Sequence, residues 1–247
     1  MRAKSFLLVV AVLLAAVPAL AVHQDTINLN LPGVNTVENI EIYFLHRFFG
    51  NAGDQPLMNA LGTDFGANAT LGMGFHLRDN IDLAILRSSL NKEYYAGGKI
   101  KINDSVALAL AAASKTDPSV TTNQNSYLGA VIVQKELVRD RLAVSLMPVI
   151  TNPNAANPTL ALGTTAGLGF DVPYGYLENV ELVLEYTPVL SGYSLRYPAL
   201  AAGIKLKTAG HFFTLMFANN FQALPNNNVL GSQDNVFHFG FNITRKL

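Results

Sequence analysis

The sequence lacks cysteine and tryptophan, carries few charged residues, and has only one long hydrophobic run, at its start. Without cysteine there is no disulfide framework, no thiolate metal site and no thiol nucleophile. Basic and acidic residues balance at 17 each, which argues against a nucleic-acid-binding protein because such proteins normally carry a basic excess. The hydrophobic content of 50 % is too high for a disordered chain. These absences indicate a folded protein without thiol chemistry and without a large net charge.

The first 21 residues have the three parts of a secretory signal peptide. The first residues are basic, an apolar run covers 6–17, and 19–21 form a small-x-small cleavage site. The alternative is an N-terminal membrane anchor, which is disfavoured because the run is short and a proline and the cleavage site follow it at once. We therefore predict residues 1–21 as a signal peptide of an exported protein and residues 22–36 as an N-terminal extension.

After the signal peptide the sequence alternates between apolar and polar residues. No further stretch of 18 apolar residues occurs, so no spanning helix is predicted. In the clearest segment one face carries Ala67, Ala69, Leu71, Met73 and Phe75, and the other carries Asn68, Thr70, Gly72, Gly74 and His76. A period of two is typical of a β-strand and incompatible with an amphipathic helix.

The alternating segments predict twelve strands of roughly 8 to 13 residues each. They begin near Val37, Gly66, Ile81, Glu93, Val106, Ser126, Leu142, Thr159, Asn179, Ala199, Gly210 and Asn235. A ten-residue strand is about 33 Å long and, tilted by about 40°, rises about 25 Å, which matches the apolar band of an outer-membrane barrel. The predicted fold is all-β: a closed antiparallel up-and-down transmembrane β-barrel of about 12 strands over residues 37–247.

Short and long connections alternate along the chain. Short turns are predicted at 77–80, 103–105, 137–141, 173–177 and 208–209. Long loops are predicted at 50–65, 115–125, 151–158, 188–197 and 219–234, and only the connection 89–92 breaks the contrast. In bacterial outer-membrane barrels the short turns face the periplasm and the long loops face outside. An even number of strands then places both termini on the periplasmic side.

Two short segments carry a family resemblance. Residues 41–50 read Glu-Ile-Tyr-Phe-Leu-His-Arg-Phe-Phe-Gly, and residues 240–245 read Gly-Phe-Asn-Ile-Thr-Arg. They resemble the first strand and the ending of a bacterial β-barrel family of unknown function, whose members carry His-Arg-Phe-Gly where this chain has an additional Phe49. The resemblance covers roughly residues 40–247 and implies a membrane-type barrel. It implies no activity and assigns no functional residues.

Charged residues are predicted on the inward face of the barrel. By parity they are Glu41, Arg47, Asp82, Lys99, Lys101, Glu181, Glu185, Lys205 and Lys207, with Tyr95 above the lysines of its strand. One interpretation is a charged constriction that selects solutes. The other, compatible with it, is a paired network that fills a narrow lumen, because buried charges need partners. Since their strands are predicted neighbours, we expect Glu181 to lie near Lys205 or Lys207.

The sequence predicts no enzyme. The five histidines lack the spacing of a metal site, and no Gly-x-Ser-x-Gly motif occurs. The outward-facing His46 and His211 also lack the serine two residues away that an outer-membrane lipase would need. Catalytic, cofactor-binding and metal-ligating residues are therefore not expected. Gly72 and Gly74 are interpreted as letting the barrel bend or making room inside it, and residues 226–228 as part of an exposed loop.

The favoured hypothesis is an outer-membrane β-barrel that acts as a passive pore or small-solute transporter. Its expected partners are outer-membrane lipid and small solutes, without nucleic acid, and the oligomeric state stays open. One alternative is a barrel with a filled lumen in a structural or adhesive role. Another is a soluble periplasmic lipid-binding barrel, which needs apolar residues inside and polar residues outside. Residues 22–36 could plug the lumen, extend into the periplasm or pair as an edge.

Overall fold

The fold is described from a computed structural model over residues 37, 39–116, 124–138, 142–152, 160–172 and 179–247. The predicted signal peptide and N-terminal extension lie outside the described residues, as does the turn predicted at 173–177. Most of the turn predicted at 137–141 and of the loops predicted at 115–125 and 151–158 also lies outside them. Among the described residues, no helix combines the length and the apolar character needed to cross a membrane.

The described residues form thirteen β-strands in one sheet. The first seven strands are β1 (Ile40–Phe48), β2 (Ala67–Arg78), β3 (Ile81–Ser88), β4 (Tyr94–Asn103), β5 (Val106–Lys115), β6 (Gln124–Val138) and β7 (Leu142–Asn152). The remaining strands are β8 (Ala161–Asp171), β9 (Val180–Thr187), β10 (Val189–Ser191), β11 (Ala199–Lys207), β12 (His211–Ala218) and β13 (His238–Lys246). Two 3-10 turns (Ala60–Phe65 and Leu90–Lys92) and one short helix, α1 (Pro225–Asn228), lie in the connections.

The sheet closes on itself. Each long strand pairs antiparallel with its neighbours, β1 pairs with β13, and β8 pairs with β9, so the ring has no open edge. The predicted closed antiparallel barrel of twelve strands is therefore confirmed, and every predicted strand begins within about three residues of the observed one. Among the connections that the structure describes, the short turns 79–80, 104–105 and 208–210 lie at one end of the barrel, here called the turn end. The longer connections 49–66 and 219–237 lie at the other end, the loop end.

The thirteenth strand, β10, lies in a segment that was predicted to be a loop. Pro188 cannot donate a backbone hydrogen bond and interrupts the ladder after β9. The chain then resumes pairing with β8, where Val189 lies opposite Gly163 and Ser191 opposite Leu162 across an irregular register. β10 thus continues β9 beyond a proline, and it is not an additional strand of the barrel wall.

The two faces of the barrel wall have opposite character. Outward side chains are apolar and exposed, with Leu71 at 59 %, Ile85 at 55 % and Leu110 at 72 %. Inward side chains include charged residues that are fully buried, such as Arg47 and Glu181 at 0 %. This is the arrangement of a membrane barrel. The soluble lipid-binding alternative is wrong, because it requires the opposite orientation of the two faces.

Glycines on the strands make room for large inward side chains, as predicted for Gly72 and Gly74. A Cβ at Gly72 would lie 2.6 Å from a side-chain carbon of Leu86, and one at Gly74 would collide with the Tyr43 hydroxyl. The barrel can therefore hold bulky residues on its inner face without widening.

If the outer wall lies in hydrocarbon, the cost of a charge on it must depend on depth. Leu110 is in the middle of β5, whereas Leu137 is next to the last residue of β6, at the turn end. We expect Leu110→Arg to lower the free energy of unfolding by about 2–4 kcal/mol and Leu137→Arg by about 0–1 kcal/mol. Urea titration of the barrel folded into lipid vesicles measures both values. Equal costs at the two positions would contradict membrane burial of the wall.

Candidate functional site in the barrel lumen

Asp82 is the centre of a first charged cluster at the turn end of the lumen. Its carboxylate lies 2.9 Å from Nδ1 of His76 on β2 and 3.3 Å from Nζ of Lys99 on β4. It also accepts the backbone N–H of Val37 at 3.1 Å, so the chain leading into β1 contacts the lumen wall. Beside it, Glu41 accepts the hydroxyl of Tyr43 at 2.8 Å. The cluster couples β1, β2, β3 and β4 through their inward faces.

Glu181 is the centre of a second cluster at the same end. It lies opposite Lys205 in the β9–β11 register, and its Oε2 is 3.3 Å from Nζ of both Lys205 and Lys207. Lys207 also donates to Asp171 of β8 at 2.9 Å. The expected proximity of Glu181 to the two lysines is therefore confirmed. Glu181 is fully buried and Lys205 nearly so, which makes the pairing a condition for placing these charges in the lumen.

Arg47 lies nearer the loop end and is fully buried. Its Nη1 donates to Oδ1 of Asn242 at 2.7 Å and to the backbone oxygen of His46 at 2.9 Å. It lies over Gly240, its register partner on β13, where a Cβ would be 2.7 Å from the arginine side chain. The carboxylate of Glu185 on β9 adds a favourable charge interaction with Arg47. Arginine and glutamate thus interact between strands that are not neighbours in the ring.

Lys101 and Tyr95 lie apart from these clusters. Lys101 pairs at 2.8 Å with the exposed Asp104 of the β4–β5 turn, so its ammonium group is at the rim. Tyr95 is nearly buried in the loop half and packs with Leu86 and Leu224. The structure therefore brings eight of the ten predicted residues into three charged groups, and it gives Lys101 a rim position and Tyr95 a packing role.

The lumen also contains a loop that the sequence did not predict there. Residues 226–228, interpreted as part of an exposed loop, are buried at 3 %, 8 % and 2 % exposure. That interpretation is wrong, because the connection between β12 and β13 folds inward and carries α1 into the barrel. We call residues 219–231 the inner loop.

The inner loop contacts the inward face of every strand from β2 to β7. Asn68 of β2 donates to the backbone oxygen of Phe221 at 3.1 Å. Leu224 packs against Leu86 of β3, Tyr95 of β4 and Ala113 of β5. Further along, Val229 packs on an apolar stripe of β5, β6 and β7 formed by Ala107, Ala109, Leu128, Ala130, Ile132, Met147 and Val149. The inner loop therefore crosses the lumen from the β12–β13 side to the opposite wall.

The tip of the inner loop is held by a carboxylate that was not among the predicted site residues. Glu93, which precedes β4 and is 5 % exposed, accepts the side-chain amide of Asn226 on Oε1 and that of Asn227 on Oε2, each at 2.7 Å. The amide of Asn226 also donates to Oγ of Ser126 on β6 at 3.0 Å. Charge-assisted bonds of this kind are stronger than those between neutral groups.

One sequence signal could have revealed the inner loop. The predicted loop contains the apolar residues Ala223, Leu224, Val229 and Leu230 around a proline and three asparagines, and all four are buried. Gly231 ends the segment with φ +91°, and a Cβ there would collide with the backbone oxygen of Tyr197. Left-handed backbone combined with such a close approach requires glycine, so this residue allows the chain to turn back out of the barrel.

The lumen therefore offers paired charges at the turn end and a bridging loop at the loop end. Within the described ranges, no group of three or more His, Asp and Glu side chains is arranged to hold a metal ion. Ammonium and carboxylate groups that are already paired can hydrogen-bond to water or to a polar solute without creating a strong net field. Such a lumen is suited either to the passage of small polar solutes or to being filled by paired side chains and the inner loop.

The Glu181 cluster should be more important for stability than the rim pair. Glu181→Ala removes the carboxylate shared by two buried lysines, and we expect a loss of about 3–5 kcal/mol in the free energy of unfolding. Asp104→Ala breaks the exposed rim pair, for which a loss of about 0–1 kcal/mol is expected. Urea titration in lipid vesicles compares the two variants. A loss below 1 kcal/mol at Glu181 would contradict the structural importance of the cluster.

Comparison with solved structures finds the same fold in porins. The KdgM porin is 10 % identical, with a TM-score of 0.53 over 84 % of this chain and 99 % of that chain. A second structure of the KdgM porin, in complex with disordered oligogalacturonate, gives the same values. The NanC porin is 8 % identical, with a TM-score of 0.51 over 84 % of this chain and 100 % of that chain. At these identities the similarity concerns the fold alone.

No curated protein sequence matches this chain. The sequence profile described as "Membrane bound beta barrel domain (DUF5777)" matches residues 24–247. The match covers the whole barrel and most of the segment that precedes it, and it agrees with the membrane-type barrel that the resemblance implied. The His-Arg-Phe-Gly motif stays a prediction. The closed barrel, its apolar exterior and this match together show that the chain belongs to the membrane-bound β-barrel domain family DUF5777.

Proposed function

We propose that the protein is an outer-membrane pore for small polar solutes. We also propose that it is exported by means of a signal peptide that is then cleaved. The observation that carries the proposal is the arrangement of the two faces: a closed barrel with exposed leucine, isoleucine and phenylalanine outside and lysine, arginine and carboxylates inside. A polar inner face in a membrane barrel is typical of a solute path.

Location in the outer membrane has three further supports. The family is one of membrane-bound barrels, and the fold is that of porins. The segregation of short turns and longer loops at opposite ends is typical of bacterial outer-membrane barrels. Outward aromatic residues lie near both ends of the wall, with Tyr127 and Phe217 towards the loop end and Phe170 towards the turn end, as expected for two interfacial girdles.

The arrangement of charges supports weak selectivity. Lys205 and Lys207 share Glu181, and Lys99 lies against Asp82, so positive and negative groups are close to each other in both clusters. One structure of the KdgM porin, which has the same fold, is of a complex with disordered oligogalacturonate, and this supports a solute path inside a barrel of this kind. For the present chain we propose small neutral or weakly charged solutes, because the paired lysines give no continuous positive track.

A barrel with a filled lumen in a structural role is the second candidate. The inner loop favours it, since Leu224 and Val229 pack against the wall and occupy the loop half of the lumen. The two candidates differ in one measurable property, because only the first requires that ions cross the folded barrel.

Conductance in planar bilayers tests the proposal. We expect the purified, folded protein to give single-channel currents above background and a reversal potential near zero in a KCl gradient, because the charges of the lumen are paired. Protein boiled in detergent is the control, and a mobility difference between boiled and unboiled samples on a gel verifies the folded barrel. A folded barrel that conducts neither as the full chain nor without the inner loop would favour the structural role.

A further inference from the structure

We propose that the inner loop is a gate and that Glu93 is the latch that holds it closed. The proposal rests on the proposed pore function, because a gate has meaning only in a barrel that conducts.

The position of the inner loop makes it an obstruction. It leaves the wall at β12, returns at β13, and packs on β5, β6 and β7. In a ring of twelve strands, the boundary between β5 and β6 lies opposite the boundary between β12 and β13. The inner loop therefore spans the diameter of the barrel, and a solute that enters from the loop end meets it before reaching the charged clusters.

The base of the inner loop is attached by many bonds and does not depend on Glu93. Asn219 donates to the backbone oxygen of Pro198 at 2.9 Å and accepts the N–H of Leu200 at 2.8 Å. Ser232 donates its hydroxyl to the backbone oxygen of Asn219, and Tyr197 and Ser232 exchange backbone hydrogen bonds. These contacts fix both ends of the inner loop to the segment that precedes β11 and to the beginning of that strand.

The tip is attached differently. Its hydrogen bonds to wall side chains converge on Glu93, which binds both Asn226 and Asn227, with Ser126 as an additional acceptor. One carboxylate therefore carries the charge-assisted part of the attachment. A base held by several bonds, and a tip whose charge-assisted bonds go to a single carboxylate, are the features expected of a segment that can swing about its base.

The wall under the inner loop combines small and large side chains. The apolar stripe at Val229 contains Ala107, Ala109 and Ala130 alongside Leu128, Ile132, Met147 and Val149. The alanines contribute little apolar area, so withdrawal of the loop exposes less surface there than it would from a wall made of leucines alone. Apolar packing positions the inner loop, and the two charge-assisted bonds to Glu93 are the part of the attachment that one substitution removes.

The experiment compares single-channel records of the full-length folded barrel and its variants. Glu93→Ala removes the latch from the wall, and Asn226→Ala combined with Asn227→Ala removes it from the tip. Because the loss of one hydrogen bond to a charged group shifts an equilibrium about tenfold, we expect either variant to raise the open fraction at least tenfold. Asp64→Ala, which removes an exposed carboxylate from the 50–65 loop, is the matched control and should behave as the parent protein.

A further variant separates failure of the latch from failure of the pore. Replacing residues 222–230 by a short Gly-Ser linker removes the obstruction and should give a permanently open channel. If this variant conducts but both latch variants behave as the parent, the latch is refuted and the pore stands. If the parent is already steadily open at the conductance of the linker variant, the gate is refuted. If no folded variant conducts, the proposed function fails as well. The gel-mobility difference confirms folding in each case, and the double asparagine variant replaces Glu93→Ala if the latter does not fold.

Discussion

Backbone hydrogen bonding is the constraint on which the whole structure depends. In hydrocarbon every N–H and C=O group must be satisfied within the protein, because no water is present to accept or donate. A sheet meets this condition only when its last edge is paired, and here the pairing of β1 with β13 and of β8 with β9 completes the ring. Closure in turn fixes which side chains face the lipid and which share the lumen.

Closure also explains why the charged residues come in pairs. Side chains on the inner face are removed from bulk water, and an isolated lysine or glutamate there would be costly. The register that satisfies the backbone also places Glu181 opposite Lys205 and Asp82 opposite Lys99. One set of strand pairings thus solves two problems, since backbone and side-chain groups find partners through the same alignment of neighbouring strands.

The limits of sequence reasoning follow from the same physics. Alternation along a strand is a local property, so the strand positions, the two faces and the Glu181–Lys205 neighbourhood could be predicted from parity and strand order. The position of the inner loop depends on tertiary contacts. Leu224 is buried against Tyr95, and Val229 is buried in a cluster with Ala109 and Met147. Residue spacing within the chain contains no record of such a contact. The same holds for Glu93, whose partners are more than 130 residues away.

This separation along the chain has a consequence for assembly. The inner loop joins the last two strands, and its partners on β2 to β7 precede it in the sequence; Asn68 and Phe221 are 153 positions apart. Contacts between such distant residues form slowly, because the ends of a long segment must first be brought together. The loop can bind the opposite wall only after that wall exists. Filling of the lumen therefore depends on the prior assembly of β2 to β7, whereas the backbone pairing that closes the ring does not involve the inner loop.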